Sequence, residues 1–239
     1  MIGLLQAEAL KYRRTPTLLL SVGVPLGLGL LIWAVFTFSN GGLSQMKGVM
    51  GWKTLGQFVT QMWMQMVLPF GAAIISSQVW GLETQDNHLK HLLVQPISRA
   101  QVYFTKLIAL IGLLALGILV MGSVYLTIGW IRGFGPEHQV LDVLKTLGLS
   151  SFAALPLVTL HLWISMRVKA MALNISLAVL GVMAAGFATG TKFWMYIPWT
   201  YLGMVGSPDH QSLTLMLASG LTLVIVFLSV LDFGRRDLH

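Results

Sequence analysis

The sequence predicts an all-α, polytopic membrane protein with six transmembrane helices, and three observations carry that prediction. Hydrophobic residues make up 56% of the 239 positions and charged residues 10%, with a mean hydropathy of +0.78. A soluble domain devotes about a quarter of its residues to charge. The apolar residues come in blocks of about twenty, the length at which a helix crosses a hydrocarbon layer of ~30 Å. The 15 Lys+Arg and 8 Asp+Glu all fall outside those blocks. A charge at the bilayer centre costs at least ~2.5 kcal/mol, so this is the partition a membrane imposes. A disordered chain, which needs low hydrophobicity and high charge, is excluded.

The elements follow in order. In the first sixteen residues Ile2, Leu5, Ala9 and Tyr12 recur at helical spacing, while Glu8, Lys11 and Arg14 fall toward water. This reads either as an N-terminal amphipathic helix lying along the membrane interface or as the basic flank of a first span. Pro16 separates it from that span, because the residue before proline resists helical geometry. The uncharged blocks are 17–37, 58–80, 107–130, 147–165, 171–190 and 212–231, and residues 1–239 form one transmembrane domain. Lys11, Arg13 and Arg14 resemble the basic start of a signal peptide. The block behind them is too long and lacks a small-residue cleavage site, which predicts an uncleaved anchor. Pro25 makes the first span bendable and Pro69 predicts a kink in the second. Gly23-x-x-x-Gly27 and Gly186-x-x-x-Gly190 carry the small-residue spacing that lets helices approach closely in lipid.

Orientation follows from the cations. With the N-terminus inside, Lys11, Arg13, Arg14, Lys90, Arg99, Lys106, Arg167, Lys169, Arg235 and Arg236 are cytoplasmic, against Lys47, Lys53, Arg132, Lys145 and Lys192 outside. Ten against five predicts both termini in the cytoplasm of a cell that inserts the chain into its plasma or inner membrane. The same asymmetry accounts for the net charge of +7, so no nucleic-acid partner is expected. There is no cysteine, which removes disulfides, thiolate metal sites and cysteine nucleophiles.

The spans hold few chemically active groups. His161 is their one titratable candidate, so a carrier driven by intramembrane proton exchange is disfavoured. For His161 and for Asn174 the bland reading is a hydrogen bond to a neighbouring helix. No Lys follows a Gly, so the phosphate-cradling G-x-x-x-x-G-K-[ST] loop is absent, as are HExxH and GxSxG. No catalytic residue is expected, and any work must be powered by another subunit. Gln57, Gln61 and Gln65 put three amides along one helical face. That face either borders a subunit interface or substrate route, or lies in the outer headgroup layer. Met62, Met64 and Met66 suit Cu(I) by chemistry, but only 62 and 66 share a face, and packing or lipid contact is the expected role. His88-x-x-His91 has ligand spacing, yet polar residues are ordinary on a solvated loop, so no metal is expected.

The segment 81–106, between the second and third spans, is the informative one. Leu89, Leu92 and Leu93 repeat at helical spacing among Glu83, Asp86, His88 and Lys90, and Gln95-Pro96 ends that helix. Ser98 then caps a helix running from Arg99 through Lys106 into the third span. A short amphipathic helix hung from two spans is a handle for a cytoplasmic partner.

In these residues the chain resembles the permease subunits of type-2 ABC exporters. Their loop between spans two and three begins at a Glu, passes through a Leu-rich helix and ends in Pro-x-Ser-Arg with a Lys about seven residues on. Here stand Glu83, Leu89-Lys90-His91-Leu92-Leu93, Pro96-Ile97-Ser98-Arg99 and Lys106, with Leu4-Leu5-x-x-Glu8-x-x-Lys11-x-x-Arg14 at the start. Size, with Ile197-Pro198-Trp199-Thr200-Tyr201, is similar to the small permeases of lantibiotic-immunity and bacitracin-resistance exporters, which implies a bacterial source. The resemblance implies a coupling helix at about 84–95 that docks an ATP-binding subunit through Glu83, Asp86, His88, Leu89, Lys90, Leu92, Leu93, Pro96 and Arg99. It implies a second permease subunit, either another copy or a relative, with a pathway between the two; Gln57, Gln61, Gln65, Gly23 and Gly27, picked out by their spacing, are the candidates for that pathway or interface. ATP and Mg belong to the partner, and the chain itself needs no cofactor. The cargo implied is an amphiphilic or peptide-like molecule moved outward. Short re-entrant helices are implied within 191–211, where an interfacial loop is the alternative. A membrane scaffold that recruits cytoplasmic proteins through the same loop is the competing function.

Overall fold

The computed structural model describes residues 2–13, 15–84, 98–135, 139–168 and 170–235. Among them six helices are long and apolar enough to cross a membrane: Pro16–Phe38, Gly48–Leu82, Arg99–Ile131, Val140–Arg167, Met171–Ala188 and Gln211–Arg235. No strand occurs among the described residues. A separate N-terminal helix covers Ile2–Tyr12. The predicted all-α, six-span architecture is therefore the one observed, with the N-terminal helix and the last turn of the sixth span at the same end of the bundle.

The second, third and fourth spans are longer than the uncharged blocks. The added turns are half polar: Lys53 and Gln57 are exposed, whereas Trp52, Leu55 and Val59 are buried on the other side. Searching for uncharged runs stops at Lys53, Asp142 and Lys145, although the helix continues through them. The third span starts as the sequence predicts. Ser98 Oγ accepts from the Gln101 N–H at 3.2 Å, and Gln101 Oε1 accepts from the Ser98 N–H at 3.0 Å. The two bonds form a reciprocal capping box.

Proline shapes two spans. Pro69 has no N–H for the Gln65 carbonyl. The helix before it widens into a π turn over Trp63–Val67, where the Leu68 N–H reaches back to the Trp63 carbonyl. The irregularity predicted at Pro69 thus lies in the turn ahead of it. Pro156 likewise leaves the Phe152 carbonyl without a donor, and the fourth span divides into Gln139–Ala153 and Leu155–Arg167.

Spans two, three and four form the interior; the first packs on the third, the fifth on the second, and the sixth on the fourth and third. Close approach occurs at glycines other than the predicted pairs. A Cβ on Gly129 would lie 2.1 Å from the Trp52 ring, and one on Gly29 would lie 2.2 Å from Val124. A Cβ on Gly23, Gly27 or Gly186 would meet no neighbour within 4 Å among the described residues, and Gly190 lies beyond its helix at φ 89°. Spacing alone picks out small residues; it does not say which face a neighbour occupies.

The connection between spans five and six folds back into the bundle. It consists of 3-10 turns Lys192–Tyr196 and Pro198–Thr200 and a short helix Tyr201–Met204. Trp194, Thr200, Tyr201, Leu202 and Val205 are buried. Trp199 covers Gly181, where a Cβ would come within 2.1 Å of the indole. Gly181 lies seven residues before the end of its helix, about 10 Å along it. The segment packs back against the fifth span, the packing that the re-entrant reading expects.

Candidate functional site

Two polar constellations lie at opposite ends of the bundle. At the end carrying the termini, Lys106 is buried in the second turn of the third span, and its Nζ donates to Glu8 Oε1 at 2.6 Å. The Tyr12 hydroxyl donates to Glu8 Oε2 at 2.5 Å, and Lys11 lies 3.6 Å from Glu8. Lys106 also sits 5.9 Å over the Tyr12 ring. Glu8 is therefore not on a water-facing side of the N-terminal helix, as its spacing suggests; it faces the third span. The correction has a simple physical cause. Tyr12 and Glu8, four residues apart on one face, are both buried, and a carboxylate held there needs a cation, which Lys106 supplies.

Arg99 donates to the carbonyls of Phe233 and Gly234 at 3.1 and 3.3 Å, so the first turn of the third span caps the last turn of the sixth. Arg167 and Asp232 form a two-pronged pair, with Nε to Oδ2 at 2.9 Å, and the Trp163 indole donates to the same Oδ2 at 3.0 Å. Arg99, a predicted docking residue, thus contacts this chain. Glu83 lies in the last turn of the second span's helix. Asp86, His88, Leu89, Lys90, His91, Leu92, Leu93 and Pro96, with the predicted coupling helix, lie outside the described residues. What is visible is their exit: the third span leaves the loop bonded to both ends of the chain.

At the opposite end an open cleft of about 880 Å³ separates the second span from the fourth span and the re-entrant segment. Gln57, Gln61 and Gln65 all line it, together with Lys53, Thr60, Asp142, Thr146, Gly203 and Gly206. The polar furrow runs from Lys53 to Gln65, about 18 Å along the helix. Residues four apart drift by about 40° per step on a regular α-helix. The wider turn at Trp63–Val67 offsets part of that drift and keeps Gln65 toward the cleft. A Cβ on Gly203 would stand 3.7 Å from Gln65 Nε2, so the missing side chains of Gly203 and Gly206 leave the far wall open. Sequence reasoning found the glutamines and missed the opposing wall. Asp142 and Thr146, four apart at the start of a helix, were the available signal. Met62 and Met66 are exposed and Met64 is buried beside this cleft.

Between the two ends lies a neutral network. Asn174 Nδ2 donates to Ser165 Oγ at 2.6 Å, Ser77 Oγ at 2.9 Å and the His161 carbonyl at 3.2 Å. His161 Nδ1 is 3.2 Å from Asn174 Oδ1. One amide therefore ties spans two, four and five, which is the structural role expected of both residues. The Trp199 ring meets the His161 ring edge-on at 6.1 Å, bringing the re-entrant segment to this network. Outside the spans, Tyr201 donates to the Met195 carbonyl at 2.7 Å, and burial pushes its phenol up, so it remains a neutral donor. No group of three or more metal-ligating side chains occurs among the described residues.

A family model described as ABC-2 family transporter protein matches residues 4–185, from the N-terminal helix through the fifth span. That is well over half of the 239 residues, and the chain belongs to this family. No curated protein sequence matches it significantly.

Proposed function

We propose that this ABC-2 family chain is the permease of an exporter that passes an amphiphilic or peptide-like cargo, such as an antimicrobial peptide, out of the membrane or cytoplasm. Members of the family form the transmembrane component and work with an ATPase subunit. Here that subunit holds ATP and Mg and grips the loop at 84–95 through Glu83, Asp86, His88, Leu89, Lys90, Leu92, Leu93 and Pro96. Arg99 relays loop movement into the sixth span.

The observation that carries the proposal is the amide-lined cleft. Three glutamines on a membrane-spanning helix need water or a polar cargo, because lipid leaves their amides unsatisfied. The cleft opens away from both termini, which the cation count puts in the cytoplasm, so it faces the side of release. Its lining is neutral apart from Lys53 and Asp142, which suits a chain of peptide groups better than a compact ion. A second permease, identical or related, closes the open side, and the outward Gly23 and Gly27 face is available to it.

The test is co-expression with an ATP-binding subunit, co-purification, and ATP-dependent uptake of a labelled amphiphilic peptide into inside-out vesicles. Uptake that requires ATP, and that Glu83→Gln or Leu92→Asp abolishes while the permease still inserts, supports the reading. A permease that never retains the subunit, or uptake indifferent to ATP, overturns it.

A further inference from the structure

Behind the amide cleft, where its two walls touch, lies an unpaired hydroxyl. Gly56 of the second span and Val143 of the fourth both line the cleft, and a Cβ on Gly56 would lie 2.6 Å from Val143 Cγ2. The same Cβ position is 3.7 Å from the hydroxyl oxygen of Tyr125, on the third span. Tyr125 stands one layer behind the lining. It is fully buried, and its hydroxyl has no hydrogen-bond partner among the described residues. A buried hydroxyl left unpaired is costly, and phenylalanine would fill the same space without that cost. The Tyr125 ring packs edge-on against Trp52 at 5.2 Å, and the Trp52 indole donates to the Gly135 carbonyl at 2.7 Å. The second and third spans are therefore fixed to each other at this level.

The first part of the fourth span is held differently. Among the described residues no side chain in 140–153 hydrogen-bonds to another element; Thr146 and Ser150 bond only to carbonyls of their own helix. The helix breaks after Ala153, ten residues beyond Val143, or about 15 Å along it. Apolar contacts alone hold this half-span, and it has a break to pivot on. We propose that Tyr125 is a cargo-binding residue: when 140–153 swings away from Gly56, the cleft deepens to the Tyr125 hydroxyl, which donates to a carbonyl of the cargo. Gln57, beside Gly56 on the cleft wall, supplies an amide that both donates and accepts. Phenol and amide together match the carbonyl and N–H of a peptide unit. The hydroxyl gains its bond only with cargo in place, so binding favours the open arrangement over the closed one. This inference rests on the cleft being the cargo's route.

The experiment uses the full-length permease in lipid vesicles and a labelled amphiphilic peptide. Tyr125→Phe is expected to weaken peptide binding about three- to tenfold, while the SDS unfolding curve stays in place or moves to higher SDS. Unchanged binding overturns the cargo role. So does a curve that moves to lower SDS, because the hydroxyl is then bonded within the closed fold. The chain has no cysteine, so paired substitutions read out the movement cleanly. Val143 Cβ is one bond beyond Cγ2, which puts the two Cβ positions about 4 Å apart, the separation a disulfide needs. Gly56→Cys/Val143→Cys is expected to close on oxidation and to stop ATP-driven uptake until it is reduced. A pair that never closes, or uptake that continues with the bond closed, overturns the opening. Spin labels on Lys53→Cys/Asp142→Cys are expected to move apart when peptide is added, with no ATPase subunit present. A distance indifferent to peptide overturns the opening as well. Binding and spin-label distance need no ATP, so a failure of uptake in unmodified vesicles removes the exporter reading and leaves these two measurements to decide this one.

Discussion

The two ends of the bundle handle polarity in opposite ways. At the end with the termini, charged groups cross from helix to helix: Lys106 to Glu8, Arg167 to Asp232, Arg99 to the final carbonyls of the sixth span. At the other end the amides of Gln57, Gln61 and Gln65 face an open cleft, and the re-entrant segment is held by local bonds such as Thr200 Oγ1 to the Trp194 carbonyl at 2.7 Å. The bonds that cross between elements there end on carbonyls, Trp52 Nε1 on Gly135 at 2.7 Å and Arg132 on Ser44. Charges inside an apolar bundle persist only in pairs, so the first end is a set of fixed joints. Neutral amides can stay unpaired if water or cargo reaches them, so the second end stays open. One end is built to be moved as a unit and the other to admit a molecule.

The largest effect is expected from breaking a joint. Lys106→Met leaves Glu8 buried with only the partly exposed Lys11, 3.6 Å away, as a cation and should cost about 3 kcal/mol. Unfolding of the purified permease by added SDS measures this, and the double variant Glu8→Gln/Lys106→Met should recover most of the loss. A single variant as stable as the unmodified chain would remove the distinction between the two ends. At the open end Gly181→Ala drives a methyl into Trp199 and should cost about 1–3 kcal/mol by overpacking. Its selective readout is faster proteolysis within 192–204, with the joints at the other end unchanged.

These two positions also mark what the sequence could tell. Six spans were legible because charge and lipid exclude each other so strongly that composition alone locates the helices. The Ser98 cap was legible because it is a local bond between neighbours in sequence. Glu8–Lys106 joins residues 98 apart, and a Glu at helical spacing beside Lys11 reads equally well as solvated. Gly23 and Gly27 have the right spacing but no neighbour within 4 Å of a Cβ among the described residues, whereas Gly181 and Gly129 each receive a tryptophan that nothing in the local pattern announces. The glutamine stripe was legible as a polar face; its opposing wall of Asp142, Thr146 and Gly203 comes from two other elements and needed the fold.

A smaller effect tests whether the joints are independent. Arg99→Gln removes two charge-assisted bonds to the end of the sixth span and should cost about 1 kcal/mol, since Arg99 is only partly buried. Amide hydrogen exchange should quicken over 231–235 and remain slow around Glu8. Exchange that quickens at both places would make the joints one coupled unit.

The smallest change in stability should accompany the sharpest change in function. Gln61 is exposed to the cleft and its side chain makes no hydrogen bond among the described residues, so Gln61→Leu should alter stability by less than about 0.5 kcal/mol. Yet it replaces the middle rung of a three-amide ladder with a group that repels peptide N–H and C=O groups. If the cleft carries cargo, ATP-driven uptake should fall severalfold while the ATPase subunit still binds and the SDS unfolding curve does not move. Gln61→Asn, which keeps the amide on a shorter stem, should restore part of the uptake. That ordering separates a polar route from a merely wet surface, because a wet surface would tolerate leucine and asparagine alike.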